Sequence, residues 1–327
     1  MRRRDFLNGL GYAVLAWPLV AAAQPSAGMP RVAALFNGPE DVEKPNLVML
    51  IRGLEEHGYA ADRNIVLDVR YGHGRIDRLP GIVRELIARK PDVMLLQGSQ
   101  AIWAGKKATS TIPIIMVSIA DPVGQGVVAS LGRPGENITG FSIVTEADVS
   151  KRLQLLSEIL RPAARIAYFT NLSNPAMPPL WRSVSDAAMQ MDIALSLHDC
   201  KNIAELDAAL GALSKQRPDG VLVEADALLS TSRRKIIAFL LREKLPSMWA
   251  SPFGAPEGGL MSYGANFTEN WRSAGRYIDR ILKGAKPGDL PVEQPTRVQL
   301  VINQKTAQAL GITIPPPMLL RANRLIE

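Results

Sequence analysis

Small polar side chains recur at the ends of short apolar runs in both halves of this sequence. In the first half they are Asn37, Ser99, Gln100, Ser118 and Asp121, with Gly98 opening the Gly-Ser-Gln turn. In the second half they are Asn171, Ser173, Asn174, Glu224, Asp226 and Tyr263. Hydroxyls, amides and a few carboxylates supply donors, acceptors and ion-pair partners, and no spacing among them singles out a nucleophile with its base. Such a set suits the holding of a small polar molecule, including one that carries an amino group. Each residue alone is also a common turn or cap residue. The recurrence in both halves is what argues for a shared site.

Other chemistries find less support. There is 1 cysteine, Cys200, and there are 3 histidines, His57, His73 and His198, which share no ligand spacing. A multi-cysteine metal centre and an internal disulfide framework are excluded, and no metal site is expected. Gly124-Gln125-Gly126 follows an apolar run and imitates a dinucleotide fingerprint. Asp121-Pro122 interrupts the strand–turn junction, however, and no later strand end presents an acidic residue to a ribose. No catalytic residue and no cofactor are therefore assigned. The net charge of +7 is mild for 327 residues, and no Lys/Arg stripe interleaved with aromatics appears, so nucleic-acid binding is not expected.

The elements that would position the polar residues follow a regular beat. Residues 92–96 and 112–118 are continuous apolar runs, too short for helices, as strands buried on both faces are. Between them residues 99–110 read as a crossover helix with Ser99 as its N-cap. Upstream, residues 31–36 and 64–71 read as strands. A helix between these two strands turns Leu47, Leu50, Ile51 and Leu54 inward, and Asp77 is placed to cap a further helix bearing Leu79, Val83 and Leu86. A short helix is expected near 126–131 and a fifth strand at 137–142. A second series follows, with strands at 165–170, 193–198, 220–223, 247–249 and 259–263 and helices near 179–190, 204–215 and 231–243. A long helix at 268–282, a strand at 297–302 and a Pro-punctuated tail complete the chain. Strand and helix alternating at this pace mean βαβ units and two successive α/β sheets with parallel strands. Ligands of such sheets bind beyond the carboxyl ends of the strands, where the polar residues fall.

Residues 1–23 read as an export signal, with Arg2-Arg3-Arg4 before the apolar stretch 7–20 and Ala21-Ala22-Ala23 as the cleavage site. The order Arg3-Arg4-Asp5-Phe6-Leu7 resembles a twin-arginine signal. A soluble, periplasmic mature protein is expected.

The segments MRRRDFL, GLEEHGYAADRNI, KPDVMLLQGSQA and TIPIIMVSIADPVGQGVVASLGRPGENITGFS, together with GGLMSYGANFTENWRSAGRYIDRILKGAKPGDLPVEQPTRVQLVINQKTAQALGI, span nearly the whole mature chain. They resemble the periplasmic substrate-binding proteins of ABC transporters, in the group related to the tryptophan-binding component. The resemblance implies a type I periplasmic-binding-protein fold: two doubly wound α/β lobes, three crossovers and a ligand cleft that closes by hinging. Lobe 1 would comprise 29–144 and 267–284, and lobe 2 would comprise 145–266 and 285–327. The family's cleft segments fall on Gly98-Ser99-Gln100, Asp121, Asn171 to Asn174, Asp226 and Tyr263. Relatives usually read Gly-Thr-Pro at the first of these, and the Glu224-Ala225-Asp226-Ala227 stretch is more acidic than their pattern. The implied partners are a small-molecule ligand and an inner-membrane permease, with the binding protein a monomer. The ligand expected is an amino acid or a related amine- or carboxylate-bearing compound, with its ammonium on Asp121 or Asp226. A ligand-sensing extracytoplasmic protein and an α/β enzyme are the competing readings.

Overall fold

The computed structural model describes residues 28–143, 146–265, 267–294 and 298–327. The export-signal residues 1–23 therefore lie outside the described residues. Strands β1 (Arg31–Phe36), β2 (Val66–Tyr71), β3 (Val93–Gln97), β4 (Ile114–Ile119) and β5 (Ile138–Ser142) alternate with helices α1 (Glu40–Glu55), α2 (Leu79–Ala88) and α3 (Gly98–Ala108). They form an all-parallel sheet in the order β2-β1-β3-β4-β5. Both faces of this sheet are covered. Val32, Ala34 and Phe36 of β1 point into one core and Ala33 and Leu35 into the other, the period-2 alternation of a strand.

The second series contains α4 (Glu146–Ser157), β6 (Arg165–Thr170), α5 (Met177–Gln190), β7 (Ala194–Asp199), α6 (Ile203–Gln216) and β8 (Gly220–Val223). It continues through α7 (Ala227–Thr231), α8 (Arg233–Arg242), β9 (Ser247–Trp249) and β10 (Met261–Ala265). Helix α9 (Thr268–Leu282) is followed by β11 (Val298–Asn303), α10 (Gln304–Leu310), α11 (Pro316–Arg321) and β12 (Arg324–Ile326). The second sheet runs β12-β11-β10-β9-β8-β6-β7, parallel apart from the β10–β11 pair. Two doubly wound α/β lobes result, each a sheet between helices.

The chain passes between the sheets three times: after β5, after β10 and before β11. The second passage brings α9 back to the first sheet. Trp271, Ala274 and Ile278 enter that sheet's core, and the Trp271 ring stacks on Phe36 at 4.5 Å. Helices α1 and α9 can lie this close because Gly53 and Gly275 face each other. A methyl group on Gly53 would overlap the Arg272 carbonyl, and one on Gly275 would overlap the backbone of Gly53.

Several local expectations are corrected. Asp77 does not cap α2; it sits in a 3-10 turn, Ile76–Arg78, and its carboxylate pairs with Arg75 at 3.1 Å. Helix α3 begins one residue earlier than Ser99, with Gln97 in the N-cap position. Residues 126–131 form turns rather than a helix, because Pro122 and the bond from Gly124 N–H to Asp121 set a tight loop there. The helix expected over 231–243 is preceded by α7, which Asp226 starts through a bond to the Leu228 N–H. The Pro-rich tail is ordered, since prolines at the first turn of α11 suit a helix start. Residues 285–293, placed with lobe 2 by sequence, run along the first sheet instead: Leu290 is buried in its core and Glu293 pairs with Phe141.

Gly53→Ala should lower the unfolding free energy by about 3 kcal/mol, the upper end for overpacking, because rigid backbone stands in the way. Gly81→Ala, with open space around it on α2, should be neutral or gain about 0.5 kcal/mol. Urea denaturation of the two variants checks both, and equal effects would count against the close approach of α1 and α9.

Candidate functional site

The carboxyl ends of β1, β3 and β4 face those of β6, β8 and β9 across a cavity of about 260 Å3. Pockets for drug-sized ligands run from about 300 Å3 upward, so this one suits a smaller molecule.

The first-lobe wall is built around an uncapped helix. Gln97 ends β3 in extended geometry and occupies the N-cap position of α3, yet its side chain makes no cap bond. It turns sideways: its Oε1 accepts from the Asn37 N–H at 2.6 Å and its Nε2 donates to Glu43 at 3.3 Å. The residues that open α3, Gly98, Ser99 and Gln100, line the cavity, and no side chain caps the helix start. Gly98 has φ +74°, and a Cβ there would stand 2.5 Å from Asn37 Nδ2, so only glycine fits.

Glu43 and Asn46 extend the inward face of α1 by one turn past Leu50 and Leu54. Glu43 is 6% exposed; its carboxylate accepts from the Gly38 N–H at 3.1 Å, from Asn46 Nδ2 at 2.7 Å and from Gln97. Burial raises its pKa, against the lowering influence of these bonds and of Arg233 on the opposite lobe. Three polar atoms on this wall are buried without a hydrogen-bond partner: Asn37 Oδ1, Asn46 Oδ1 and Ser118 Oγ. Ser118 also sits at φ +60°, where the β4–β5 register shifts.

The second-lobe wall is more fully satisfied. Asp226, 2% exposed, accepts on one oxygen from Leu228 N–H at 2.9 Å and Asn171 Nδ2 at 3.3 Å. Its other oxygen takes Asn174 Nδ2 at 2.9 Å and Gln100 Nε2, reaching from the first lobe, at 3.2 Å. Glu224 receives Arg152 Nη2 on both oxygens at 2.9 Å, a pair with essentially no exposure. Arg233 bonds Glu257 and lies over the Phe253 ring at 5.6 Å, while its Nε has no partner. Met177, Leu180, Phe253 and Phe267 give the cavity apolar wall.

Of the residues singled out from sequence, Asn37, Gly98, Ser99, Gln100, Ser118, Asn174, Glu224 and Asp226 line this cavity. Four do not. Asp121 is exposed at φ +39° and its carboxylate is used by its own turn at 2.8 Å. Tyr263 packs in mid-strand against the second sheet's core. Asn171 lies behind Asp226, and Ser173 bonds back to Asn171 at 2.5 Å. Glu43, Asn46, Gln97 and Arg233 were missed. The signal for the first two was present: counting back by four from Leu47 and Leu50 along the inward face of α1 lands on Glu43 and Asn46.

A cavity with polar walls and apolar corners, set between the strand ends of two α/β lobes, defines a bilobed solute-binding protein. The chain belongs to the ABC transporter substrate-binding protein family, whose model matches residues 42–326. It is 26% identical over 275 residues to the tyrosine-binding protein of Clostridioides difficile, covering 83% of this chain and 79% of that one. Among solved structures it is similar to a conserved domain protein from Vibrio cholerae, at TM-score 0.85 and 26% identity over 91% of this chain and 100% of that one. An ABC domain from Streptococcus pneumoniae in complex with L-Trp matches at TM-score 0.83 and 24% identity, with the same coverage. A ligand-free, open substrate-binding protein from Clostridium difficile matches at TM-score 0.64 and 21% identity over 91% of this chain and 99% of that one.

Asp226→Ala removes the cap of α7 and leaves the Asn171 and Asn174 amides unpaired in a buried place. The unliganded chain should lose about 3 kcal/mol in urea denaturation, and a loss under about 1 kcal/mol would show that water replaces the carboxylate without cost.

The raised pKa of Glu43 makes the folded chain bind that proton more tightly than the unfolded chain. Its contribution to stability is thus complete below the ordinary carboxylate range and lost as pH rises through the raised value. In the absence of ligand, the melting temperature of Glu43→Gln minus that of wild type should rise as pH climbs above the ordinary carboxylate range. A difference flat in pH would refute the shift.

Proposed function

We propose that this chain is the extracytoplasmic binding component of an ABC importer, capturing a small organic molecule with an amino and a carboxylate group, an amino acid above all, between its lobes. The observation that carries this reading is the cavity itself: amino-acid sized, enclosed by both lobes, and lined by residues that hold buried polar atoms without partners. The tyrosine-binding relative and the L-Trp complex support the ligand class. The ligand's carboxylate would lie on the uncapped start of α3, where several N–H groups and the helix dipole favour an anion. Met177, Leu180 and Phe253 would receive its apolar part.

The division into lobes follows the passages of the chain: residues up to β5, with α9 and 285–293, on one side, and the remainder on the other. Closure would be a hinge motion between them. The Gln100–Asp226 bond across the cleft and the seat of Gly74 against Thr231 support a closed arrangement, as does the better match to the L-Trp complex than to the open, ligand-free structure. Export by residues 1–23 and delivery to an inner-membrane permease complete the proposal. The chain is read as a binder rather than an enzyme because Glu224, Asp226 and Glu257 are committed to structural bonds, with no nucleophile–base pair at the cavity among the described residues.

A thermal-shift screen against amino acids, aromatic acids, purines and sugars tests the reading. An amino acid at about a hundred times its dissociation constant should add about 2.7 kcal/mol to the folded state and move the melting temperature visibly. A shift with sugars or purines and none with amino acids would overturn the ligand class.

A further inference from the structure

Four donors reach the Asp226 carboxylate, Asn171, Asn174, Leu228 N–H and Gln100, two on each oxygen. Two carboxylate oxygens offer about four acceptor positions, so none is left for an ammonium unless a protein bond is given up. Asp121 lies outside the cavity. The carboxylates expected from sequence to hold an amine are therefore spent or absent, and the amine needs another seat.

The first-lobe wall provides one. Glu43 uses three of its acceptor positions, on Gly38, Asn46 and Gln97, and keeps about one. Asn37 Oδ1 and Asn46 Oδ1 are acceptors without partners, on side chains 7% and 4% exposed that line the cavity. The three residues are contiguous. Asn46 donates to Glu43 at 2.7 Å, Gln97 joins Glu43 to the Asn37 backbone at 3.3 and 2.6 Å, and Asn37 stands against Gly98.

We infer that Glu43, Asn37 and Asn46 form the seat for the ligand's ammonium group, one acceptor for each of its three N–H bonds. The inference rests on the proposed function and deepens it. An α-amino acid carries its ammonium and carboxylate on the same carbon, so their seats must be neighbours. Here the acceptor trio adjoins the open start of α3 through the Asn37–Gly98 contact. The first lobe then reads the zwitterionic head and the second lobe reads the side chain, through Met177, Leu180 and Phe253. Asp226 acts as the brace to which Gln100 latches rather than as the ammonium's counter-ion.

Isothermal titration of the purified chain with L-tyrosine, L-tryptophan and their des-amino analogues tests this. Wild type should bind at least one of the two amino acids and bind its des-amino analogue more weakly. Glu43→Gln should weaken the amino acid by about 10- to 100-fold, as expected for a charge-assisted contact, while binding the des-amino analogue as wild type does. Asn46→Ala, a milder change, should act in the same direction and serves where the first variant does not fold, with thermal melting of the unliganded variants as the control. A wild type that binds the amino acid, with both folded variants binding it equally well, overturns the seat and leaves the proposed function standing. A wild type that binds neither these two nor any other amino acid overturns the seat and the amino-acid reading together.

Discussion

A carboxylate out of water must have its acceptor positions filled, and Asp226 draws its donors from three separate parts of the chain. Leu228 N–H comes from the helix that Asp226 itself starts, Asn171 and Asn174 from the loop after β6, and Gln100 from the other lobe. Helix α7, the β6 loop and the second-lobe wall thus converge on one charge. The same carboxylate then offers its last position to the facing lobe. Bracing of the cavity and contact across the cleft depend on a single buried group, which accounts for a carboxylate kept out of water in this wall. The Arg152–Glu224 pair beside it is of the same kind. Breaking one partner of a buried pair is far more destabilising than the pair itself is stabilising, so such pairs fix geometry more than they add stability.

The two walls differ in how far their polar groups are satisfied. On the second lobe, Asp226 is saturated and Glu224 is neutralised. On the first lobe, Glu43 is buried by α1 with its pKa raised, and the amides of Asn37 and Asn46 each leave an oxygen unused. Buried polar atoms without partners cost stability. The first-lobe wall gathers three of them, at Asn37, Asn46 and Ser118, facing Arg233 Nε and Glu257 Oε2 on the second, and ligand binding can recover such a cost. Ser118, in left-handed backbone at the same wall, adds local strain of the sort that collects at functional places.

Much of the fold was legible because parallel strands buried on both faces leave continuous apolar runs, and 92–96 and 112–118 are such runs. The strand ends were legible too, and eight of the residues chosen there line the cavity. The reading failed where a residue's type was right and its direction was not. Tyr263 belongs to a strand, but its alternation sends it into the core; Asp121 follows a strand, but Pro122 and Gly124 bend the chain so that its carboxylate serves the turn. Glu43 was passed over because a charged residue in a helix is ordinarily solvated. Its register with Leu47, Leu50 and Leu54 placed it on the inward face, and only a three-dimensional cavity shows why that face tolerates a carboxylate. Gln97 could not be found from pattern at all, since a glutamine closing an apolar strand gives no hint that it will decline to cap the helix it precedes.

The route of the chain ties these local features to the motion required of a binder. Helix α9 follows the last parallel strand of the second sheet in sequence, yet it completes the core of the first, with Trp271 stacked on Phe36 and Gly275 pressed against Gly53. The first lobe therefore lacks part of its core until the chain has passed through the second, which makes the two lobes interdependent in folding although each has its own sheet. Non-local closure of this kind is slow to form because a long loop must be closed before its contacts repay the entropy. Its return is mechanical. The three passages tie the lobes together, and the hinge proposed above would be a rotation about them. A rotation of that kind would bring the Glu43 wall to the Asp226 wall and leave both intact.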